Sequence, residues 1–248
     1  MDQYGLLGFP LGHSFSKTYF NQKFEAEKID AEYLNFELPN IKEVKNVLKE
    51  HPRLKGFNVT IPYKEQIIPY LDEMDHNAQL IGAVNVVKLS KGLFGKTKLK
   101  GFNSDIIGFK RSIDPLLQPH HRKALILGTG GASKAVFQGL KQLSVGATFV
   151  SRKAKEFCIT YEEITPKTME QYTVIVNTTP LGMFPNVDNC PPIPYDLLTP
   201  DHLLYDVIYN PDETLFMKKG KEKGATVKNG LEMLLLQAMA AWEIWQQP

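Results

Sequence analysis

The chain lacks most of the features that mark specialised classes of protein. Only two cysteines occur, Cys158 and Cys190, with no CxxC pair and no Cys/His spacing of the kind that holds zinc. Neither a disulfide framework nor a structural metal is expected, and a reducing cytoplasm is the expected home. No apolar run approaches the roughly 18 residues needed to span a membrane. Even the apolar C-terminal stretch is broken by Glu232, Gln237 and Glu243. The opening MDQYGLLGF has no basic segment ahead of an apolar core, so no secretory signal is expected. Excess charge is missing too: 29 Lys and Arg against 27 Asp and Glu leave +2, too balanced for a dedicated nucleic-acid binder. The six histidines form no HxH or HExxH pattern, so no metal site is expected; His120 and His121, in a proline-rich connector, are expected in solvent. What remains is ordinary globular composition, 43% hydrophobic and 23% charged over 248 residues, enough for one large domain or two modest ones.

The first hundred or so residues alternate strand-like and helix-like runs. QYGLLGF (3–9), AEYLNFEL (31–38), LKGFNV (54–59) and AVNVVKL (83–89) read as strands, bounded by Gly, Pro or Asn. Between them, Phe15, Tyr19, Phe20 and Phe24 recur at helical spacing, as do Ile41, Val44 and Leu48. This alternation indicates an α/β layer, with the aromatics read as core. Composition shifts around SIDPLLQPHHRK (112–123). KALILG (123–128) then reads as a strand buried on both faces, ASKAVFQGLKQL as a helix and ATFVSRK (147–153) as the next strand. TVIVNTT (173–179) and LLYDVIY (203–209) are later strands, and NGLEMLLLQAMAAWEIW (229–245) a helix apolar nearly all round, expected to be buried.

The strand–turn–helix at GTGGASKA (128–135) carries a glycine turn suited to a pyrophosphate. Gly128 permits the tight turn, Gly130 and Gly131 let backbone N–H groups approach the anion, and the helix dipole favours negative charge there. Ser133 departs from the G-x-G-x-x-G pattern, while Ala135 allows close helix packing. Dinucleotide folds that take NAD place an acid at the tip of the second strand; here the tip reads Ser151-Arg152-Lys153. A guanidinium there binds a 2′-phosphate where a carboxylate would repel it, so NADP is the expected cofactor. In the first half, Ser14 and Ser16 lie on a strand-to-helix turn suited to a small carboxylate, with His13 expected to orient that loop. NVTIPYK ends a strand and places Asn58, Thr60 and Lys64 on a proline-stiffened loop; Asn85 begins a strand, and Asn103 and Asp105 follow another. Lys64, Asn85 and Asp105 are expected to converge beside the strands' carboxyl ends, where α/β folds bind ligands. Tyr209 is expected to end a strand, with Asn210-Pro211 forcing the turn. Gly230 reads equally as an anion contact or a helix cap. Gln237 reads as a buried amide on an apolar helix face, in need of a hydrogen-bonding partner.

Taken together, HSFS (13–16), NVTIPYK (58–64), IGAVN (81–85), GFNSD (101–105), GTGGASKA (128–135), NTTPLGM (177–183), DVIYNP (206–211) and NGLEMLLLQ (229–237) resemble the shikimate dehydrogenase family over nearly the whole chain. The resemblance implies an N-terminal α/β substrate domain, 1–105 plus 231–248, and a Rossmann-like NADP-binding domain, 106–230, with the C-terminal helix returning to the first. It implies reversible NADPH-dependent reduction of 3-dehydroshikimate to shikimate, with Lys64 and Asp105 as the catalytic pair. Ser14, Ser16, Thr60, Asn85, Asp105, Tyr209 and Gln237 match substrate contacts. Gly128, Gly130, Gly131, Ala132, Ser151, Arg152, Lys153, Thr178, Val207 and Gly230 match cofactor contacts. Ser104 stands where the family commonly has Thr, and Ser151-Arg152-Lys153 where it often has Asn-Arg-Thr. A quinate/shikimate dehydrogenase using NAD and a catalytically silent ligand sensor are the alternatives, and both a monomer and a homodimer are open.

Overall fold

The computed structural model describes residues 1–12, 15–92, 95 and 97–248. The chain forms two compact units, residues 1–104 with 238–248, and residues 105–237. The first contains β1 (Asp2–Gly8), α1 (Phe15–Ala26), β2 (Ala31–Glu37), α2 (Val44–Glu50), β3 (Leu54–Val59), β4 (Glu73–Met74), α3 (His76–Ile81), β5 (Val86–Lys91) and β6 (Thr97–Phe102). Its sheet runs β2-β1-β3-β5-β6-β4. β1 is parallel to β2 and β3, β4 is parallel to β6, and β5 is antiparallel to both of its neighbours.

Period-two alternation gives each face of this sheet its own core. Leu7, Phe57, Val59 and Val87 pack with Val44 and Val47 of α2, whereas Tyr4, Tyr33 and Val86 pack with Phe20 and Phe24 of α1. The aromatics spaced helically in the sequence thus do line a core, Phe20 and Phe24 fully and Phe15 and Tyr19 in part. Trp245, from the C-terminal helix, closes the second layer by donating its indole N–H to the Val87 carbonyl at 3.1 Å. Glycine at position 56 makes this possible, since a Cβ there would lie 2.2 Å from the indole nitrogen.

The second unit contains α4 (Asp105–Ile113), β7 (Lys123–Leu127), α5 (Gly131–Gln142), β8 (Gly146–Ser151), β9 (Cys158–Thr160), α6 (Pro166–Gln171), β10 (Val174–Asn177), β11 (Leu203–Asp206), α7 (Leu215–Glu222), β12 (Thr226–Lys228) and the first part of α8 (Leu231–Gln246). Its strands are all parallel in the order β12-β11-β10-β7-β8-β9, with the order reversing between β7 and β10. This is the doubly wound order of dinucleotide-binding folds, whose ligands sit at that reversal. Ala124 and Ile126 pack against α4 and α5, while Leu125 and Leu127 pack against α6 and α7. Both faces are covered, which explains why KALIL reads as an unbroken apolar run.

Two expectations change here. The boundary between units falls inside α8: Met233 joins the core of Phe109 and Val136, while Ala238, Ala241, Ile244 and Trp245 join that of Tyr4 and Phe20. The helix returns to the first unit as expected, but from Ala238 onward rather than from its start, and Leu231 and Met239 stay exposed. His121 is buried rather than solvated; its Nδ1 accepts from the Gln118 amide at 2.9 Å and its Nε2 donates to the Asp201 carbonyl at 3.1 Å. With both nitrogens committed, the neutral ring can be buried, and burial lowers its pKa. Of this pair, His120 alone is exposed. Among the described residues no helix is long and apolar enough to cross a membrane.

Candidate active site

In the first unit, strand register brings Thr60, Lys64 and Asn85 to one sheet edge. Asn58 of β3 pairs with Val86 of β5, which pairs with Phe102 of β6, and β5 runs opposite to the other two. The carboxyl ends of β3 and β6 therefore share one sheet edge with the amino end of β5, within two strand spacings of about 4.8 Å. Backbone bonds extend this edge: Val59 donates to Asn85, Asn85 to Phe102 and Val84 to Lys64, at 2.9, 3.0 and 2.8 Å. Thr60 and Lys64, both half-buried, and the buried Asn85 thus lie side by side. Asn58 itself belongs to β3, within the strand LKGFNV read from the sequence, and only Thr60 and Lys64 lie on the loop that follows.

Asn85 grips the turn that leads out of β6. Its Oδ1 accepts from the Ser104 amide at 2.7 Å and its Nδ2 donates to Ser104 Oγ at 3.1 Å, while Asn103 Nδ2 donates to the Ala83 carbonyl at 3.0 Å. Asp105, the next residue, is 7% exposed and opens α4, where the helix dipole favours a carboxylate. A second set of polar groups lies on β2 and β3. The Tyr33 hydroxyl donates to Asn58 Oδ1 at 2.8 Å, and burial pushes its pKa well up. His13 and Ser14 lie outside the described residues.

In the second unit the glycine turn follows β7 at the sheet reversal. Gly128 has φ +108°, a value that favours glycine, and a Cβ on it would lie 2.9 Å from Thr178 Oγ1. Thr178 closes the same corner by donating its amide and hydroxyl to the Leu127 carbonyl at 3.0 and 2.7 Å. Gly130 caps the twelve-residue α5, and nothing lies within 4 Å of where a Cβ on Gly130 or Gly131 would sit. The space beside Gly130 and Gly131 at the start of α5 is thus open, the setting in which helix N-termini bind phosphates, and Ser133 closes the turn by donating its hydroxyl to the Gly130 carbonyl at 2.6 Å. Ser151 is buried at the end of β8, with Arg152 and Lys153 exposed beyond it. Lys155, which the sequence reading passed over, extends its ammonium to Thr129 Oγ1 at 3.2 Å, so this basic arm reaches the glycine turn. Open glycine amides and an exposed cationic arm fit a phosphorylated dinucleotide.

A buried carboxylate organises the neighbouring strand ends. Asp206 accepts from Asn177 Nδ2, the Ile208 amide and the Thr214 hydroxyl, at 3.1, 3.1 and 2.7 Å. Burial nevertheless raises its pKa to about 6. By capturing the Ile208 amide, Asp206 turns the chain out of the sheet, so β11 stops there and Tyr209 lies beyond the strand, 46% exposed. Val207 donates to the Asn177 carbonyl at 3.0 Å. Gly230 is pressed on the same backbone: a Cβ there would lie 2.1 Å from the Val207 carbonyl oxygen. Its glycine is accounted for by close packing. Gln237 is half-buried, packed beside Gly108, rather than fully enclosed. Tyr33, Asp206 and Lys155 carried no distinctive sequence signal, since an aromatic in a strand, an acid at a strand end and a lysine in a loop are each common.

Comparison with known proteins identifies the family. Residues 6–87 match the family model described as the shikimate dehydrogenase substrate binding domain. A protein from Aquifex aeolicus named shikimate dehydrogenase (NADP(+)) is 40% identical over 255 residues, 98% of this chain and 90% of that one. A Methanococcus aeolicus protein of the same name is 38% identical over 97% of this chain and 90% of its own length. The crystal structure of the Thermus thermophilus shikimate 5-dehydrogenase in complex with NADP(H) and shikimate superposes with a TM-score of 0.84 at 29% identity, covering 99% of this chain and 94% of that one. At this identity and coverage, with the same doubly wound unit following the matched domain, the chain belongs to the shikimate dehydrogenase family.

Proposed function

We propose that this chain catalyses the reversible NADPH-dependent reduction of 3-dehydroshikimate to shikimate, a cytoplasmic step towards aromatic amino acids. The observation that carries the reading is the shared sheet edge at which Thr60, Lys64 and Asn85 stand together, with the buried Asp105 next in chain after the Asn85-bound Ser104. Ser14, Ser16, Thr60 and Asn85 offer hydroxyls and an amide to a carboxylated, hydroxylated ring, with Tyr209 and Gln237 completing the set. Gly128, Gly130, Gly131, Ala132, Ser151, Arg152, Lys153, Thr178, Val207 and Gly230 form the cofactor site.

The bound dinucleotide supplies the hydride for the ketone carbon. Lys64 donates a hydrogen bond to the ketone oxygen, stabilises the charge that develops there and passes it a proton; in the reverse direction it takes that proton back. Asp105 holds the ammonium in place and accepts from the neighbouring ring hydroxyl. Arg152 and Lys153 bind the 2′-phosphate, which a neutral ribose hydroxyl could not replace.

Mixing the pure protein with NADPH and 3-dehydroshikimate tests the reading. Loss of NADPH absorbance that depends on 3-dehydroshikimate is the expected result. Tight binding without turnover would make the protein a sensor, and faster oxidation of quinate with NAD would reassign its substrate and cofactor.

A further inference from the structure

We propose that Asp206 is a positioning residue for the nicotinamide half of the cofactor: it ties the loop after β10 to the loop after β11 and so fixes Thr178 and Val207. The inference rests on the reading of those two residues as cofactor contacts.

Doubly wound folds bind a dinucleotide across the sheet reversal, one mononucleotide to each half. Here β7 and β8 lead into the glycine turn and the Arg152 arm, which suit the phosphates of the adenosine half. β10 and β11 belong to the other half, so the loops at their carboxyl ends are left for the nicotinamide mononucleotide. Asp206, Asn177 and Thr214 are each 0% exposed and reach no ligand themselves, whereas Thr178 and Val207 beside them are half-buried.

The two oxygens of Asp206 hold different partners. Oδ1 accepts from Asn177 Nδ2 and from the Ile208 amide, both at 3.1 Å, one from each loop. Oδ2 accepts from the Thr214 hydroxyl at 2.7 Å and anchors the carboxylate to the start of α7. A carboxylate only accepts, so Asn177 must present its amide nitrogen to Asp206. The Asn177 oxygen is thereby turned to Thr179, where it accepts from the amide at 3.0 Å and the hydroxyl at 2.7 Å. Asn177 Nδ2 also reaches the Leu181 carbonyl at 3.4 Å, and Thr179 Oγ1 accepts from the Leu181 amide at 3.3 Å. The chain from Asn177 to Leu181 is thus folded around one side chain whose orientation Asp206 sets, and Thr178 lies within it. On the other loop, Val207 donates its amide to the Asn177 carbonyl at 3.0 Å, next to the captured Ile208 amide. Farther out, Phe184 donates to the Asn210 carbonyl at 3.1 Å, so the two loops leave the sheet together. Without Oδ1 the Asn177 amide is free to turn over, and the cofactor must order the loop as it binds, at a cost in affinity.

Calorimetric titration of the whole protein with NADPH and with adenosine 2′,5′-bisphosphate, which has the 2′-phosphate but no nicotinamide, separates the two halves. Asp206→Ala should raise the dissociation constant for NADPH about threefold to tenfold and leave that for the bisphosphate within about twofold of the parent. Asp206→Asn keeps an oxygen where the Ile208 amide needs an acceptor, so it should restore NADPH binding to within about twofold. Thr214→Val removes only the Oδ2 bond; it should lower the Tm yet leave both dissociation constants within about twofold. Equal weakening of NADPH and the bisphosphate, or Thr214→Val weakening NADPH as much as Asp206→Ala, would overturn the inference by making Asp206 a stabiliser of the unit as a whole. Unchanged NADPH binding in Asp206→Ala, or no rescue by Asp206→Asn, would overturn it too. If the parent protein binds neither NADPH nor the bisphosphate, the cofactor reading fails, and the inference with it. Should Asp206→Ala fold poorly, Asn177→Ala releases the first loop and leaves Asp206 its other two partners. It should weaken NADPH selectively, and unchanged NADPH binding would count against the proposal.

Discussion

At the polar edge of the first unit's sheet the available groups are side chains; at the carboxyl edge of the second they are backbone amides and charges on an exposed arm. Tyr33, Asn58, Asn85 and Ser104 form a chain of neutral hydroxyls and amides, fixed by one another and by backbone partners. Such a surface presents donors and acceptors at set positions, which suits a small ring bearing several hydroxyls. The second edge keeps its buried polar groups, Asn177, Asp206 and Thr214, occupied internally. It leaves open space beside Gly130 and Gly131 and exposes Arg152 and Lys153, with Lys155 reaching back to Thr129. Phosphates need that kind of surface: amides that approach closely and charge that reaches outward. The strand ends of the two units thus differ in what they present: mutually fixed polar side chains in one, a glycine turn and an exposed cationic arm in the other.

If the first edge is where chemistry occurs, Lys64→Ala should be the most damaging change. We expect kcat to fall by about 10²–10⁴ with KM changed far less, in initial-rate assays with saturating NADPH. A variant retaining most of its kcat would break the contrast between the two edges. The second edge is probed by Arg152→Ala, which should weaken NADPH binding by about tenfold to a hundredfold while leaving NADH binding nearly unchanged, as read by titration of cofactor fluorescence. Equal losses for both cofactors would mean that Arg152 does not read the 2′-phosphate. The smallest effect concerns Asp206. Its pKa in the folded protein, about 6, lies above its ordinary 3.8, so its stabilising contribution is full below about pH 4 and is lost as pH rises through 6. Replacing it as Asp206→Asn should remove that dependence. Denaturant titrations between pH 4 and 7 should then show the parent's stability relative to the variant falling with pH, by at most about 1.4 kcal/mol per pH unit. Parallel profiles would show that Asp206 does not titrate in this range.

Much of the fold was legible because periodicity and burial coincide. LKGFNV is β3 residue for residue, and KALIL reads as doubly covered because it is. Errors fell where a single hydrogen bond overrides local pattern. LLYDVIY reads as a strand through Tyr209, yet Asp206 takes the Ile208 amide and ends it. His121 looked like a connector residue in solvent until two backbone partners allowed it to be buried neutral. Gly230 reads equally as an anion contact or a helix cap, and neither reading foresees the Val207 carbonyl pressed against it. Tyr33 carried no signal of its own in its strand, and its hydroxyl's partner, Asn58, comes from β3, remote in sequence.

The sequence by itself determined the element types, the glycine turn after a buried strand, the cationic strand tip and the residues able to do the chemistry, because those depend on side-chain type and local spacing. Only the tertiary structure decided which of these groups are spoken for. Hydrogen-bond direction depends on partners brought together by strand register, and so does the cost of burying the Asp206 carboxylate; neither is encoded within any one segment.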